Sequence, residues 1–597
     1  MSIEATAAYR QAPWREAKLM PVDLDVARRD DGTILLASRV PLKAYDHNIP
    51  AVFSRRAKIA GEKAALARRD ATGSWAFSSF SLLKRDMDAA AQWLLNVQKP
   101  GPVLILAPNS PAFAVMTFAA YASGRAACPV STTYAVLGGS YGRLAHVIAK
   151  VKPAVVFAED SGAVGDALAA LDLGGATIVT ADPARIAKPS VAFADVIKTT
   201  PTAAVDASIE RIRRDDIASL MLTSGSTGLP KVVPITFDNL AANSAQCQQI
   251  IGEAAGWREV MLDWLPWHHA AGAFVYRTTL LEGGTLYIDD GKPAPGLFDT
   301  TLRNLREISV SYFNNVPLGY GMLVDALEKD ETLRRTFFKK LRLMLYGGAG
   351  LPQGVYDRLQ ALAVAETGRR IMMTSAYGMT EAVSGFMAIH FETDKVGIGL
   401  PSPGVRLKLV PSGDRYELRV KGPNVTKGYL DEPEKTAAAF DEEGYYRTGD
   451  LCVFHDPADP AKGLAFAGRA AEEFKLSSGA WVYGGALRDA LMKALGSQIV
   501  DLVLCDDDRP YLALMLWPKA GASADEIARR LAEFNESQHG GASRIRRALL
   551  LSEPPSANAH EMSDKGTINR RGVIERRAAD VARLYADAPD EAIMRFN

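Results

Sequence analysis

The sequence predicts an α/β protein: a large N-terminal domain followed by a smaller mixed α+β unit. Three observations carry this reading. Short apolar runs alternate with helix-like stretches through the first half, strands of alternating polarity take over near residue 397, and a new set of strands and helices begins after Gly468-Arg469. A boundary is therefore expected near residue 469, dividing 1–468 from 469–597.

The elements follow in order. Val103-Leu104-Ile105-Leu106-Ala107 reads as a buried strand, and Ser110-Pro111 opens a helix-like stretch through Ala119. Ala154 to Ala158 and Thr177 to Thr180 read as further strands, as does the apolar run from Ile217 to Leu222. Alternation of this kind favours a parallel, doubly wound sheet. Arg342 to Tyr346 runs into Gly347-Gly348-Ala349-Gly350, and Ile371 to Thr374 leads to Tyr377-Gly378-Met379-Thr380-Glu381. Both place ligand-capable groups at strand ends, where open α/β sheets bind ligands. Val405 to Leu409 and Tyr416 to Val420 alternate apolar and polar residues around the turn Pro411-Ser412-Gly413-Asp414, a one-sided antiparallel hairpin of a small barrel or distorted sheet. The C-terminal unit offers strands at 500–504 and 511–517 and helices at 524–535 and 570–585.

Composition narrows the function. The chain has 597 residues, 48% hydrophobic and 23% charged, ordinary values for a globular protein. Lysine plus arginine and aspartate plus glutamate are 69 each, so nothing in the net charge favours a nucleic acid or an anionic membrane. Cys128, Cys247, Cys452 and Cys505 are far apart and show neither metal-ligand spacing nor a disulfide framework. Met1-Ser2-Ile3-Glu4-Ala5 lacks a basic stretch before an apolar core, and no apolar run is long enough to span a bilayer. A cytoplasmic, reduced enzyme is the expectation.

The most informative stretch is Thr223-Ser224-Gly225-Ser226-Thr227-Gly228-Leu229-Pro230-Lys231. Glycines let a backbone approach phosphate oxygens, while hydroxyls and a lysine add donors and charge. It is not a Walker A loop, because Leu229-Pro230 separate Gly228 from Lys231 and Val232 follows. The spacing resembles the phosphate loop of adenylate-forming enzymes: acyl- and aryl-CoA synthetases, luciferases and peptide-synthetase adenylation domains. Within them the chain most resembles the feruloyl-CoA synthetases, through Asp263-Trp264-Leu265-Pro266-Trp267, Gly283-Gly284-Thr285 to Pro293, and Leu551-Ser552-Glu553-Pro554-Pro555 followed by Asp564-Lys565-Gly566.

The resemblance, which covers essentially the whole chain, implies two α/β sheets plus a distorted β-barrel in the large domain, with the small one a mobile lid. It implies that ATP and an acid form an acyl-adenylate and pyrophosphate, and that CoA then displaces AMP. Thr223, Ser224, Gly225, Ser226, Thr227, Gly228 and Lys231 would cradle phosphates. Gly348, Ala349, Gly350 and Tyr377 would meet adenine, Asp450 the ribose, and Arg469 the ribose or phosphate. Glu381 would hold Mg²⁺, Thr380 would touch the α-phosphate, and His269 would lie near the acyl group. Lys565 would bridge the substrate carboxylate and the α-phosphate, two anions that otherwise repel. Trp267, His268, Asn315, Val316, Gly378 and Val383 would wall the acid pocket. A homodimer is implied at the family level. Four positions depart from the feruloyl pattern or its relatives: His268, Tyr377-Gly378-Met379, Ala471 at the hinge and Trp481 beside the CoA tunnel. The expected substrate is a ferulate-like aryl acid; another aryl or medium-chain acid, an acceptor carrier protein, or a non-catalytic nucleotide-binding regulator are the rivals.

Overall fold

A computed structural model describes residues 9–136, 141–223, 229–294, 296–478, 480–496, 498–505, 509–538, 543–556, 561–562 and 568–596. The apolar runs form the expected parallel strands. A seven-stranded sheet is ordered Lys231–Thr236, Ile217–Thr223, Ala127–Pro129, Val103–Leu106, Val155–Ala158, Thr177–Thr180 and Ser190–Ala192. Its neighbours are parallel except the first pair, in which Thr223 faces Lys231. Ser110 caps the helix Pro111–Ala122, accepting from the Phe113 amide, and proline stands at its first turn, where a missing N–H costs no hydrogen bond.

The second α/β layer combines two sheets. Four strands run in the order Val260–Asp263, Thr285–Ile288, Ala64–Arg69 and Trp75–Ser79, and five run Tyr312–Asn315, Leu343–Gly347, Met372–Gly378, Gly385–Ala388 and Leu400–Pro401. Val260–Asp263 lies against Tyr312–Asn315, bringing the two sheets together.

The alternating segments form an antiparallel sheet of six strands: Leu24–Arg28, Ile34–Ser38, Arg406–Ser412, Arg415–Lys421, Tyr446–Phe454 and Leu464–Arg469. The expected hairpin is present, and Gly413 carries the positive φ of +63° that its two-residue loop needs. Among the described residues its two outer strands do not pair, so this barrel-like region is an open sheet.

Past Arg469 a 3-10 turn, Ala470–Glu472, leads into the smaller part. Its sheet is ordered Ile499–Cys505, Leu512–Pro518, Ile545–Leu550 and Ile593–Arg595, with helices Gly484–Leu495 and Ala524–Glu536. The single helix expected over 570–585 is two, Arg570–Arg576 and Ala578–Leu584. Between them Arg577 is captured by Glu561, through Nε to Oε1 at 2.6 Å and Nη2 to Oε2 at 3.0 Å. No described helix is long and apolar enough to cross a membrane.

Candidate functional site

Sequence-distant groups converge where strands of the two α/β layers end. The Met372–Gly378 strand runs into a 3-10 turn, Thr380–Ala382, that lies against both Ile217–Thr223 and Lys231–Thr236. The turn is held from a third direction: the Thr426 amide donates to the Glu381 carbonyl at 2.8 Å and Asn424 Nδ2 to the Ala382 carbonyl at 3.1 Å. Thr426 Oγ1 in turn donates to the Pro234 carbonyl at 2.7 Å, tying this loop to the strand that begins with Lys231.

Glu381 is buried, and Oε1 accepts the Tyr429 hydroxyl at 2.9 Å. The Tyr429 and Tyr446 hydroxyls are also 2.9 Å apart, and Lys231 Nζ lies 4.5 Å from the centre of the Tyr429 ring. Burial, reinforced by the Glu381 charge, pushes both phenols above their ordinary range, so they stay protonated and able to donate. One hard carboxylate with oxygen-rich surroundings suits Mg²⁺, which takes one or two protein carboxylates and completes its shell with phosphate and water. Among the described residues no group of three or more His, Cys, Asp or Glu side chains has metal-site geometry.

A second cluster joins Tyr377, Asp450 and Arg469. The Tyr377 hydroxyl donates to Asp450 Oδ2 at 2.6 Å, and Arg469 Nε lies 3.3 Å from Oδ1. Burial raises the Asp450 carboxyl above its ordinary value, while Tyr377 and Arg469 pull it back down. Arg469 is 64% exposed and Asp450 is nearly enclosed, so the arginine is the member of the pair that faces solvent. The turn Gly348, Ala349 and Gly350 is exposed at the end of Leu343–Gly347, beside the strand that carries Tyr377. Gly348 has φ +81°, and a Cβ there would stand 3.9 Å from Val316 Cγ1, so these two expected residues are neighbours.

The expected acid-pocket residues divide. Trp267 and Val383 line one internal cavity. Trp267 is stacked on Tyr276 with ring centres 4.3 Å apart, and its amide donates to Asn109 Oδ1 at 2.8 Å. His268 and His269 lie ring against ring at 4.4 Å; burial lowers the His268 imidazole to about 4. His269 stands at the N-terminal end of the helix Ala270–Glu282. Asn315 Oδ1 takes the Trp264 indole N–H at 3.1 Å and the Val316 amide at 2.9 Å. Gly378 is required by space: a Cβ there would lie 1.9 Å from the Ser384 carbonyl oxygen.

Val383 adopts φ +69° and ψ −52°, and the Ser384 amide donates to the Ala382 carbonyl at 2.9 Å across it. This is a γ-turn on a β-branched residue, a conformation that costs on the order of 1–3 kcal/mol and concentrates at functional sites. Ser224, Gly225, Ser226, Thr227, Gly228 and Lys565 lie outside the described residues, as do the side chains of Ala471 and Trp481. The sequence reading did not find Tyr429, Tyr446, Asn109 or Arg277; only Arg277 carries a local signal, as the single charge in the apolar run from Ala270 to Leu281.

Residues 53–430 match the AMP-binding enzyme family and residues 474–589 its C-terminal domain, and the chain belongs to the AMP-binding enzyme family. It is 31% identical over 261 residues to a 2-succinylbenzoate–CoA ligase of Staphylococcus epidermidis, covering 42% of this chain and 50% of the relative. It is 29% identical over 296 residues to a feruloyl-CoA synthase of an Amycolatopsis species, covering 47% and 56%. The matches thus span about half the length of these curated relatives. The fold resembles that of O-succinylbenzoate coenzyme A synthetase from Bacillus subtilis in complex with AMP, with TM-score 0.66 and 19% identity over 88% of this chain and 98% of that one.

Proposed function

We propose that this protein is an ATP-dependent acid–thiol ligase that adenylates an aryl acid of hydroxycinnamate type and passes the acyl group to CoA. The observation that carries the reading is the convergence of Thr380, Glu381 and Lys231 with the Tyr377–Asp450–Arg469 cluster at the ends of neighbouring strands. An acid oxygen attacks the α-phosphorus of ATP and the bond to pyrophosphate breaks; CoA thiolate then attacks the acyl carbon and AMP leaves. Both steps build negative charge in a small volume, so donors and cations are what the protein must supply.

In this reading Thr223 to Gly228 and Lys231 hold phosphate oxygens, and Thr380 donates to the α-phosphate. Glu381, oriented by Tyr429, holds Mg²⁺, which offsets triphosphate charge. Asp450 accepts the ribose hydroxyls as exposed Arg469 swings toward phosphate, and adenine lies between Tyr377 and the Gly348–Gly350 turn. Lys565 enters from the C-terminal domain, divided from the rest near residue 469, to screen the carboxylate from the phosphate. That domain then moves to admit CoA. His269, Trp267, His268, Asn315, Val316, Gly378 and Val383 surround the acid. The four free cysteines and the demand for ATP and CoA favour the cytoplasm, and a homodimer is the family-level expectation. The likenesses to a 2-succinylbenzoate ligase and to a medium-chain fatty-acid–CoA ligase of Escherichia coli support a second reading, in which the acid is a different aryl or a medium-chain one.

Pyrophosphate release and thioester absorbance, measured with ATP, Mg²⁺ and a panel of acids including ferulate and coumarate, test the proposal. Release followed by a CoA-dependent thioester is expected. Release with no thioester would move the acceptor to a carrier protein or point to a CoA tunnel blocked near Trp481, and no release with any acid while ATP still binds would end the ligase reading.

A further inference from the structure

The helix Ala270–Glu282 is buried over nearly its whole length, yet carries a guanidinium at its centre. Arg277 is 2% exposed. Its Nη1 reaches only the Ala273 carbonyl, at a long 3.5 Å, and its Nε and Nη2 are buried without a partner. The groups that face it are Tyr121, Tyr276 and Cys247, with no carboxylate among them. Burial lowers its pKa, but an arginine stays charged in proteins. A buried charge is costly unless paired, and a charge left unpaired by the chain is one a ligand can satisfy.

The position of Arg277 indicates which part of a ligand it meets. Ala270, Ala273 and Arg277 follow the spacing that puts residues on one helical face, and that face lines the cavity shared with Trp267 and Val383. Two alanines keep the helix's own side chains short along the upper part of the face, with the arginine at its far end. Seven residues at the helical rise put Arg277 about 10 Å from Ala270, comparable to a hydroxycinnamate measured from its carboxyl to its para position. Within an otherwise apolar lining that includes Met221, Ile235 and Leu240, a few polar groups gather: the Tyr121 hydroxyl and Ser219 Oγ are 2.8 Å apart, and Thr117 lies beside Tyr276. Gly272 fixes the helix against this loop, since a Cβ there would stand 2.3 Å from the Pro266 carbonyl oxygen. The free volume in this state is about 10 Å³, room for one water, so an aryl ring enters with rotation of wall side chains.

We propose that Arg277 is the specificity residue for the far end of the acid, selecting substrates whose distal group is an oxygen anion or acceptor, a carboxylate or a phenolic oxygen, over those ending in an alkyl group. The inference rests on the ligase reading and deepens it. A carboxylate would be taken bidentately by the guanidinium fork and a phenolic oxygen through one hydrogen bond.

The test compares cinnamates that differ only at the para position, as hydroxyl, carboxylate or methyl. For the parent enzyme, kcat/KM for pyrophosphate release is expected to be at least tenfold higher with hydroxyl or carboxylate than with methyl, and Arg277→Met to erase that gap. The carboxylate and hydroxyl arms separate the two oxygen sources. Equal rates with all three acids, or a gap that survives Arg277→Met, would overturn the proposal. Should Arg277→Met fail to fold, Arg277→Lys retains the charge without the fork, and the carboxylate-over-methyl ratio is expected to fall at least threefold; an unchanged ratio would overturn it. Calorimetric binding of 4-carboxycinnamate reads the site without turnover. Binding lost on substitution supports Arg277 even if no acid releases pyrophosphate, a result that would sink the ligase reading alone, and absence of binding to the parent counts against Arg277.

Discussion

Arg277 and Arg577 are buried in different parts of this chain and are held in opposite ways. Arg577 donates twice to the fully buried carboxylate of Glu561, which also takes Arg576 Nη1 at 2.8 Å. Arg277 has a single long contact to a backbone carbonyl. The first is a closed structural lock, complete without any ligand. The second is left open toward the cavity, and in the proposed reading the distal oxygen of the acid completes its hydrogen bonding. Both guanidiniums are buried, and what separates them is the countercharge, which Arg577 has and Arg277 lacks.

The largest effect expected around the lock is catalytic. Met562 pairs with Ile568, and the Asn569 amide donates to the Glu561 carbonyl at 2.9 Å, so both ends of the segment bearing Lys565 are tied to this lock. Lys565→Ala is expected to slow pyrophosphate release by about 10³-fold, with ATP binding and unfolding unchanged. Release within tenfold of the parent would remove Lys565 from the chemistry. Next comes stability: Glu561→Ala leaves Arg577 unpaired and should cost about 3 kcal/mol in denaturant unfolding. Arg277→Met, which removes a charge already unpaired, should unfold within about 1 kcal/mol of the parent or above it. Equal losses in the two variants would dissolve the comparison.

Smaller still is Tyr429→Phe, which removes one donor to Glu381. A loss of about 1 kcal/mol should appear as roughly a fivefold higher Mg²⁺ requirement, and an unchanged requirement would show that Tyr429 does not orient that carboxylate. A pH effect is also expected at His268, whose imidazole burial lowers to about 4 from its ordinary 6.5. Between those values the unfolded chain binds a proton that the folded chain excludes, so this contribution is intact above about 6.5 and lost as the pH falls toward about 4. The parent's melting temperature should drop more steeply with acid in that window than that of His268→Gln; parallel curves would assign the slope elsewhere.

The same contrast describes what the sequence made legible. Runs such as Val103 to Leu106 and Val155 to Ala158 read correctly as strands because a parallel strand buried on both faces is apolar throughout. Gly413 marked its hairpin because a positive φ favours glycine. The hairpin of Leu24–Arg28 and Ile34–Ser38 was missed although Asp31-Gly32 marks a turn between them, while the pairing of Ile34–Ser38 with Arg406–Ser412, far along the chain, has no local pattern to record it. The break at Arg577 was hidden for the same reason: the helical pattern continues and the capturing Glu561 is elsewhere. In the site, motif residues could be named, but the partners that orient them could not. Tyr377 and Asp450 are 73 residues apart and Tyr429 and Glu381 are 48, and such contacts exist only after folding.

The central claim is that an acid and ATP form an adenylate at the converged strand ends. Acid-dependent exchange of labelled pyrophosphate into ATP, without CoA, tests it most directly, because exchange requires the adenylate to form and reverse. Exchange that needs a carboxylic acid and Mg²⁺, and that falls by orders of magnitude in Lys565→Ala, is the predicted result. No exchange with any acid while ATP still binds would contradict the account and leave a nucleotide-binding protein without this chemistry.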